Sequence, residues 1–409
     1  MVKNPFKELP REVAILSTVS FLVAVGFGLI IPAIPIFAAS FGVSKTAIGL
    51  IISCFAIVRF SSGLISGKFV DKFGERAVLG FGLFMVSFFT LLTALSQNYS
   101  QLLIFRSLGG LGSSMFSVSA GSLLMRSVTD DFRARAQSLY NGGFLLGGIS
   151  GPAFGGLLAA ISLRAPFFVY SVTLAMAAMT ALFFLSEKKL GKKVDAPISK
   201  IGHTTISQAF KLRPYQIALI LAFINNWILF GLRSSILPLF VTDQLKSTAT
   251  IAGIGLTIGA LIQGIFMLKA GKYSDLKGRK AALLYGGAYI LFGILMLAFA
   301  TNIYWYMLSM ALFGLGGAYV GTAPGSVVGD IIKGRGGQVI AAWQMAGDAG
   351  MIVGPILVGL LTDYFSYQAA FLFSGCIWVI ALLLSATLPE TRAAHLANDL
   401  IPDKNKQEL

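Results

Sequence analysis

The chain has 409 residues, of which 56% are apolar and only 12% are charged, with a mean hydropathy of +0.79 and a formal net charge of +15. A soluble chain usually carries about 25% charged residues, so this composition excludes an ordinary water-soluble protein and indicates a polytopic membrane protein. The basic excess does not predict a nucleic-acid partner, because long apolar runs leave no solvated basic face. The net charge therefore has to be explained by where the basic residues lie.

The few cysteines and histidines give no sign of a metal site or a cofactor. Cys54 and Cys376 lie inside apolar runs, so neither a disulfide nor a thiolate site is expected. His203 and His395 lie in separate polar stretches, and we expect no metal there. Covalent catalysis is not expected either, because a membrane enzyme needs several reactive side chains at one depth.

Apolar runs of about 20 residues, the length that crosses roughly 30 Å of hydrocarbon, divide the chain into membrane spans. The first run is too long for a cleavable signal and lacks a small-residue cleavage site, so it is predicted to be span 1. Cutting the chain where charges and turn residues cluster predicts twelve spans: 13–39, 46–66, 77–96, 101–126, 135–161, 165–186, 214–241, 248–269, 280–300, 302–329, 337–362 and 367–388.

The distribution of basic residues predicts the orientation of the spans. If both termini are cytoplasmic, 26 of the 32 Lys and Arg residues lie on the inner side and three lie in outer loops. The other three, Arg59, Arg106 and Arg233, fall within spans. The positive-inside rule therefore predicts that both termini face the cytoplasm.

The longest polar stretch divides the spans six and six. Residues 187–213 are predicted to be a basic cytoplasmic linker whose charge serves orientation and attraction to anionic lipid, with a site for a regulatory partner as the alternative. The predicted parts are a cytoplasmic N-terminus, an N-terminal bundle, this linker, a C-terminal bundle and a cytoplasmic tail: 1–12, 13–186, 187–213, 214–388 and 389–409.

The two halves repeat each other in sequence at a nearly constant offset. Gly67, Asp71 and Gly74 recur 204 residues later as Gly271, Asp275 and Gly278. Gly28 and Gly151 recur 203 residues later as Gly231 and Gly354. Six spans return the chain to its starting side, so the second unit has the same orientation as the first. Two such units can rock about a site at their interface, which predicts alternating access and hence a transporter. One chain can form the whole pathway, so a monomer is expected.

The loop after span 2 runs from Gly67 to Arg76 as a turn at the predicted inner face, where glycines permit unusual backbone angles. It resembles the G-x-L-A-D-R-x-G-R-K signature of the major facilitator superfamily, and so does the second copy after span 8. The resemblance implies an all-α fold of twelve helices in two six-helix bundles related by pseudo-two-fold symmetry. It also implies a conformational latch, carried over to Gly67, Asp71, Gly74, Arg76, Gly271, Asp275 and Gly278. Glu75 departs from the pattern, because the family usually has a basic residue there.

Two further motifs resemble those of the twelve-span drug:proton antiporters within that superfamily. Span 1 contains the proline pair Pro32 and Pro35. Span 5 carries a sequence similar to the antiporter motif, comprising Gly147, Gly151, Pro152, Gly155 and Gly156. Glycines at this spacing let a neighbouring helix approach closely, and the proline permits a kink. Close packing alone is the alternative interpretation, because span 11 repeats the core of the motif.

Span 4 carries Arg106 in a sequence similar to the fourth-span motif of the family, whose arginine is linked to proton transfer. A guanidinium within the membrane is costly and normally faces a cavity or a partner. The alternative is an arginine that extends toward the outer interface, since Arg106 lies near the start of the span.

Asp348, about eleven residues into span 11, is the only carboxylate predicted near the bilayer centre. An ionised carboxylate there costs about 3 kcal/mol or more, so a change of access or partner can switch its protonation. We predict a site for a proton or a cationic substrate. A structural hydrogen bond, for example with Gln344, is the alternative. Drug:proton antiporters often carry an acidic residue in span 1, and here that span has none after Glu12.

Other polar or aromatic side chains lie at depths where a central cavity is expected. They are Arg59, Asn141, Asn225, Asn226, Arg233, Gln263, Trp343 and Gln344. Each could instead form a hydrogen bond between helices. Two or three arginines that face a single acid favour an anionic or zwitterionic substrate over a purely cationic one.

Together these features predict a secondary active transporter in a bacterial plasma membrane, with both termini cytoplasmic. It is expected to export amphipathic or hydrophobic small molecules in exchange for protons by rocker-switch alternating access, with membrane lipid as its surroundings. Two alternatives remain open at this point: a proton-coupled exporter or flippase of an endogenous lipid, sugar or metabolite, and a receptor without transport activity on the same fold.

Overall fold

The computed structural model describes residues 10–128, 133–185, 204–321, 323–331 and 337–391. Within these ranges twelve helices are long and apolar enough to cross a membrane, so the predicted all-α architecture of twelve spans is confirmed. The predicted termini and linker fall largely outside the described residues. The described end of the linker forms a short helix, Ile206–Lys211, before span 7.

The spans are mostly single helices, although spans 1, 7 and 10 are each divided. In chain order their helices are Arg11–Ile30 with Ala33–Ala39, Lys45–Phe73, Glu75–Leu95, Tyr99–Arg126, Arg133–Ile161, Ala165–Phe184, Arg213–Asn226 with Leu237–Asp243, Ala249–Lys277, Arg279–Ala298, Ile303–Val320 with Ala323–Ile331, Gly337–Tyr364, and Tyr367–Ala386.

Spans 2 and 8 continue well beyond their predicted ends at residues 66 and 269. The predicted inner-face turn is the last part of each helix, and a single glycine then joins it to the next helix. Gly74 has φ +82° and Gly278 has φ +110°, a backbone region that favours glycine. The Gly74 N–H still donates to the Val70 carbonyl at 2.9 Å, so the helix closes as it reverses.

Span 7 contains a wide helical segment that the sequence pattern does not predict. Residues Trp227–Ile236 form a π-helix between the two α-helical parts of the span. The Ser234 hydroxyl donates to the Leu229 carbonyl, five residues earlier, at 2.9 Å. Such segments are rare and occur often at functional sites.

The sequence repeat has a counterpart in the packing of the two halves. In the first half a β-carbon at Gly28 would meet the backbone of Gly151, where spans 1 and 5 cross. In the second half Gly231 stands in the same relation to Gly354, where spans 7 and 11 cross. The repeated glycines therefore mark equivalent helix crossings, at which backbones approach closely.

The halves meet along two seams, span 2 against span 11 and span 5 against span 8. The end of the molecule that carries the loops after odd-numbered spans, such as 40–44 and 162–164, is called the odd-loop end. The opposite end, with the loops after even-numbered spans, is the even-loop end.

Candidate functional site

The two seams are closed at the odd-loop end by equivalent contacts between backbones. A β-carbon at Gly49 of span 2 would overlap the carbonyl of Pro355 in span 11, and one at Gly253 of span 8 would overlap that of Pro152 in span 5. Nearer the surface, Gly359 lies against Lys45 in the first seam. Because these neighbours are backbone atoms, the halves lie as close as helices can at this end.

The predicted antiporter motif in span 5 has two faces, and each contacts a different half. Gly147, Gly151 and Gly155 pack against span 1 of their own half. Gly156 packs against the backbone of Ala249 and Thr250 in span 8, where the Thr250 hydroxyl donates to the Gly156 carbonyl at 3.2 Å. The motif therefore contributes both to the packing of spans 1 and 5 within the first half and to the contact of span 5 with span 8 of the second half.

Toward the even-loop end exposed polar side chains lie on the seam faces, and the region between these faces is called the cleft. Ile149 of span 5 faces span 8, near Gly264. Asn141, two helical turns earlier on the same face, is exposed, as is Gln344 on the corresponding face of span 11. Residues at multiples of three and four share a helix face, so both polar side chains belong to the faces that line the cleft.

Asp348 and Arg59 lie opposite each other at mid-depth of the first seam. Each side chain is partly exposed, and Arg59 interacts electrostatically with Asp348. Within the described residues the two groups form no salt bridge, and Gln344 makes no hydrogen bond to Asp348. Arg59 also interacts electrostatically with Tyr140 of span 5. Spans 2, 5 and 11 therefore each contribute an ionisable group to this region.

Arg106 lies apart from that pair, in a closed chamber nearer the odd-loop end. Its side chain is only 5% exposed, and its guanidinium carbon lies 4.1 Å from the centre of the Phe55 ring. Phe27, Ile52 and Met351 help to line the chamber, whose volume of about 30 Å³ admits one or two water molecules. Among the described residues no acidic side chain pairs with Arg106. A desolvated guanidinium in an apolar chamber attracts an anionic group.

Arg233 lies in the π-helical segment, within the second half. Its guanidinium lies 5.8 Å from the Phe313 ring centre, and Arg233 interacts electrostatically with Tyr306. In the described part of the chain its Nε has no hydrogen-bond partner. The structure therefore places Arg233 among spans 7, 8 and 10 and does not bring it together with Arg59, Arg106 and Asp348.

Several predicted cavity residues make contacts between or within helices instead. Gln263 donates to the Gly317 carbonyl at 3.4 Å, which ties span 8 to span 10. Asn226 donates to the Ala222 carbonyl at 3.0 Å and packs near Gly347 of span 11, while Asn225 beside it is partly exposed. The indole Nε1 of Trp343 is buried and has no partner among the described residues.

The first copy of the predicted latch leaves its carboxylate exposed. Asp71 is exposed and makes no hydrogen bond or salt bridge to the described residues, and the space around Gly67 is open. Arg76 donates through Nε to the Leu182 carbonyl of span 6 at 3.0 Å. Glu75, where the family pattern differs, is buried and accepts a hydrogen bond from Ser122 at 3.1 Å.

The second copy is engaged within its own half. Space around Gly271 is open, as around Gly67, and the side chain of Asp275 lies outside the described residues. Arg279, directly after Gly278, donates through Nε to Asp330 of span 10 at 3.1 Å. Its backbone N–H donates to Glu390 at 3.0 Å, so the chain after span 12 closes onto this turn.

Sequence reasoning did not single out Phe55, Tyr140 or Tyr170, which surround the arginines. Tyr170 of span 6 is buried and interacts electrostatically with Arg106. Aromatic residues are so frequent in the spans that only the three-dimensional neighbourhood of a charge distinguishes these. The described residues contain no group of three or more metal-ligating side chains.

Comparison with known proteins gives consistent results over the whole chain. Residues 16–236 and 219–407 match the family model described as Major Facilitator Superfamily. The chain is 25% identical to multidrug resistance protein MdtG of Proteus mirabilis, over 89% of this chain and 92% of that protein. It is 26% identical to multidrug resistance protein 2 of Bacillus subtilis, over 96% and 98%. A bacterial homologue of the human lysosomal transporter Spinster, in an inward-facing and unoccupied conformation, has a similar fold, with a TM-score of 0.73, 16% identity and coverage of 96% and 98%.

Proposed function

The chain belongs to the major facilitator superfamily and is a membrane transporter rather than an enzyme, and on this basis we propose that it exports amphipathic small molecules in exchange for protons. The relatives named as multidrug resistance proteins support an exporter of drug-like compounds. The side chains that line the chamber between the halves are mostly apolar and aromatic, which suits such compounds once rocking of the halves enlarges the chamber beyond its present volume of about 30 Å³.

The observation that carries the proposal is the position of Asp348. A single carboxylate lies at mid-depth on a seam face, partly exposed to the cleft and within the field of Arg59. A carboxylate in that position can take up a proton when the cleft opens to one side and release it when access changes. We assign proton binding to Asp348, with Arg59 as the cation that favours its ionised form.

Arg106 completes the proposed coupling from the other side of the seam. It lies under the closed odd-loop end, where its positive charge favours an anionic group in the chamber. The family resemblance links the arginine at this place to proton transfer. Arg106 and Asp348 thus belong to two levels of one pathway, and rocking of the halves exposes them to opposite sides in turn.

The direction of transport follows from the orientation that the basic residues favour. With 26 of 32 Lys and Arg residues on the even-loop side, that end is assigned to the cytoplasm. The cleft then opens to the cytoplasm, where an exporter loads its substrate. In the opposite conformation we expect Asp71, exposed here, to engage the second half and latch the even-loop end.

Purified protein in liposomes with an imposed pH gradient tests the proposal. The expected result is movement of a fluorescent amphipathic dye against its gradient, together with dye-dependent dissipation of the pH gradient. Liposomes without protein, and liposomes with the gradient abolished by an ionophore, are the controls. If the dye moves at the same rate with and without the pH gradient, the proposed proton coupling is wrong. If a labelled lipid is scrambled and the dye does not move, the protein is a lipid flippase and the proposed drug export is wrong.

A further inference from the structure

A carboxylate of one half caps a helix of the other half at the odd-loop end. Asp363 lies at the end of span 11, and its Oδ1 accepts the backbone N–H of Lys45 at 2.8 Å. Its Oδ2 accepts the backbone N–H of Thr46 at 2.8 Å and the Thr46 hydroxyl at 2.6 Å. All three hydrogen bonds cross the seam between spans 2 and 11.

These bonds satisfy groups that the helix of span 2 cannot satisfy by itself. The first four N–H groups of a helix have no partner within it, and a negative charge beside them is stabilising. Ser44, from the same half, accepts the N–H of Ala47 at 3.2 Å. Asp363 supplies acceptors for the N–H groups of the two preceding residues. The cap of span 2 is therefore complete only while the two halves are in contact.

The charged and titratable groups around Asp363 come from spans 2, 7 and 12. The Lys45 ammonium lies 3.4 Å from Asp243 at the end of span 7. The Tyr367 hydroxyl, at the start of span 12, donates to the same carboxylate at 2.7 Å, and Asp363 acts on Tyr367 electrostatically. One cation, two carboxylates and one phenol thus share this corner, and Asp363 itself is exposed to solvent.

At the equivalent corner of the other seam, no carboxylate caps the start of span 8 among the described residues. Thr250, which lies 204 residues after Thr46, donates to a backbone carbonyl, that of Gly156, at 3.2 Å. The position 203 residues before Asp363 is Ala160. In the described part of the chain, the two seams therefore have the same glycine contacts and differ in that a carboxylate holds the first seam and not the second.

We propose that Asp363 is a proton-sensitive gating residue: ionised, it holds the odd-loop end closed by capping span 2, and its protonation releases that cap so that the halves separate there. Protonation removes the charge and turns one acceptor oxygen into a donor that faces N–H groups. This role rests on alternating access in the proposed function and adds to it a control by the acidity of the odd-loop side.

The test is a distance measurement between the halves as a function of pH. Spin labels are attached at Ser100→Cys in the first half and Gln368→Cys in the second, both exposed at the odd-loop end, with Cys54 and Cys376 replaced by serine. The protein is held in lipid nanodiscs without substrate, and pulsed electron resonance records the distance distribution from pH 8 to pH 3. An ordinary aspartate takes up a proton near pH 4, and hydrogen bonds to the ionised form oppose that step, so we expect the open-to-closed ratio to stay constant down to about pH 4 and to rise below it.

The variant Asp363→Asn is expected to show, already at pH 8, a ratio raised about tenfold and then nearly independent of pH. Thr250→Ala is the matched control, because it removes a hydrogen bond from the other seam without removing an ionisable group. It should raise the ratio at every pH and leave the pH dependence intact. Thr46→Ala removes one of the three hydrogen bonds to Asp363 and should raise the open-to-closed ratio by less than Asp363→Asn does. It provides a second test of the cap if Asp363→Asn folds poorly.

An unchanged pH response in Asp363→Asn, or its loss in Asp243→Asn instead, would overturn the assignment, as would a distance in the parent protein that ignores pH. The measurement requires neither substrate nor a proton gradient. If dye export fails while the distances respond as expected, the proposed function is wrong and the gate remains. If export succeeds while the distances do not respond, the gate alone is wrong.

Discussion

Pro152 and Gly253 meet backbone to backbone across the seam between spans 5 and 8, so closely that a β-carbon at Gly253 would overlap the proline carbonyl. A backbone carbonyl cannot turn aside as a side chain can. Any larger residue at position 253 must therefore widen the seam. In the proposed alternating-access cycle the seam opens in one conformation and closes in the other, so such a residue is expected to shift the conformational equilibrium.

The variant Gly253→Val is accordingly expected to favour the conformation opened at the odd-loop end. Ser234 lines the chamber beneath the seam and, as Ser234→Cys, reports its accessibility. A thiol reagent that does not cross the membrane, applied from the odd-loop side, should label this cysteine at least tenfold faster in Gly253→Val. Gly148→Val is the matched control, since a β-carbon at Gly148 meets no atom within 4 Å. Equal labelling rates in all three proteins would contradict the prediction.

Asp348→Asn should abolish coupling between substrate and proton movement. The amide keeps the size and polarity of the side chain but cannot carry a proton on and off. In liposomes we expect the dye-dependent proton flux to fall at least tenfold, while dye binding, measured by thermal shift, persists. Gln344→Ala, one turn earlier on the same face, controls for loss of a polar group. Asp348→Glu should recover part of the flux, and full flux in Asp348→Asn would rule out this carboxylate.

The two glycines of the first loop motif are expected to respond differently to alanine. Gly74 has φ +82°, where alanine is strained, so Gly74→Ala should destabilise the protein by about 1 kcal/mol and lower the melting temperature. Gly67 is helical with open space around it, so Gly67→Ala should leave the melting temperature unchanged or raise it.

Transport should nevertheless slow in Gly67→Ala if the motif acts as a latch. The open space at Gly67 exists in the conformation described here, and closure of the even-loop end brings the second half against it. Unfolding in detergent followed by a thiol-reactive dye gives the stability, and dye efflux gives the rate. A Gly67→Ala protein with normal transport would remove Gly67 from the latch.

Arg106 should set a preference for substrates that carry a negative charge. The desolvated guanidinium, stacked on Phe55, has no acidic partner among the described residues and favours an anion in the chamber. A fluorescent carboxylic acid and its methyl ester form a matched pair of test substrates. We expect the parent protein to bind the acid about tenfold more tightly than the ester, and Arg106→Gln to lose that ratio. Arg106→Lys should keep part of it, and an ester bound as tightly as the acid by the parent protein would contradict the prediction.

The number and nature of the spans could be predicted because the membrane imposes them through local composition. Apolar runs of sufficient length, and glycine motifs repeated at a fixed offset, are visible in the sequence without knowledge of contacts. The repeated glycines at positions 28 and 231 indeed lie at equivalent crossings. The residue assignments for the proton site and the latch stay predictions.

The features that could not be predicted from the sequence depend on long-range contacts or on small changes in backbone geometry. The cap of span 2 by Asp363 joins residues 317 positions apart, and an aspartate at the end of a span looks like an ordinary interface residue. The π-helical segment of span 7 differs from an α-helix by one residue in the turn, which hydrophobic periodicity does not resolve. Gln263 illustrates a third limit, because polarity at mid-depth is the same for a cavity residue and for a bond between spans 8 and 10.

The apolar layer of Ile52, Ala56 and Met351 has an electrical consequence. It lies between the odd-loop surface and the pair formed by Arg59 and Asp348, so the membrane voltage falls mainly across this thin, dry layer. In the proposed alternating-access cycle, Asp348 and Arg59 share the potential of the even-loop solution in this conformation and that of the opposite solution once such a layer forms at the other end. A net charge on the pair is thereby transferred across the membrane voltage although its position in the protein does not change. The electrical work is about 2.3 kcal/mol per elementary charge per 100 mV. Under the proposed proton coupling, the pair carries a positive charge from Arg59 when Asp348 is protonated, and membrane voltage then contributes to the driving force as well as the difference in acidity.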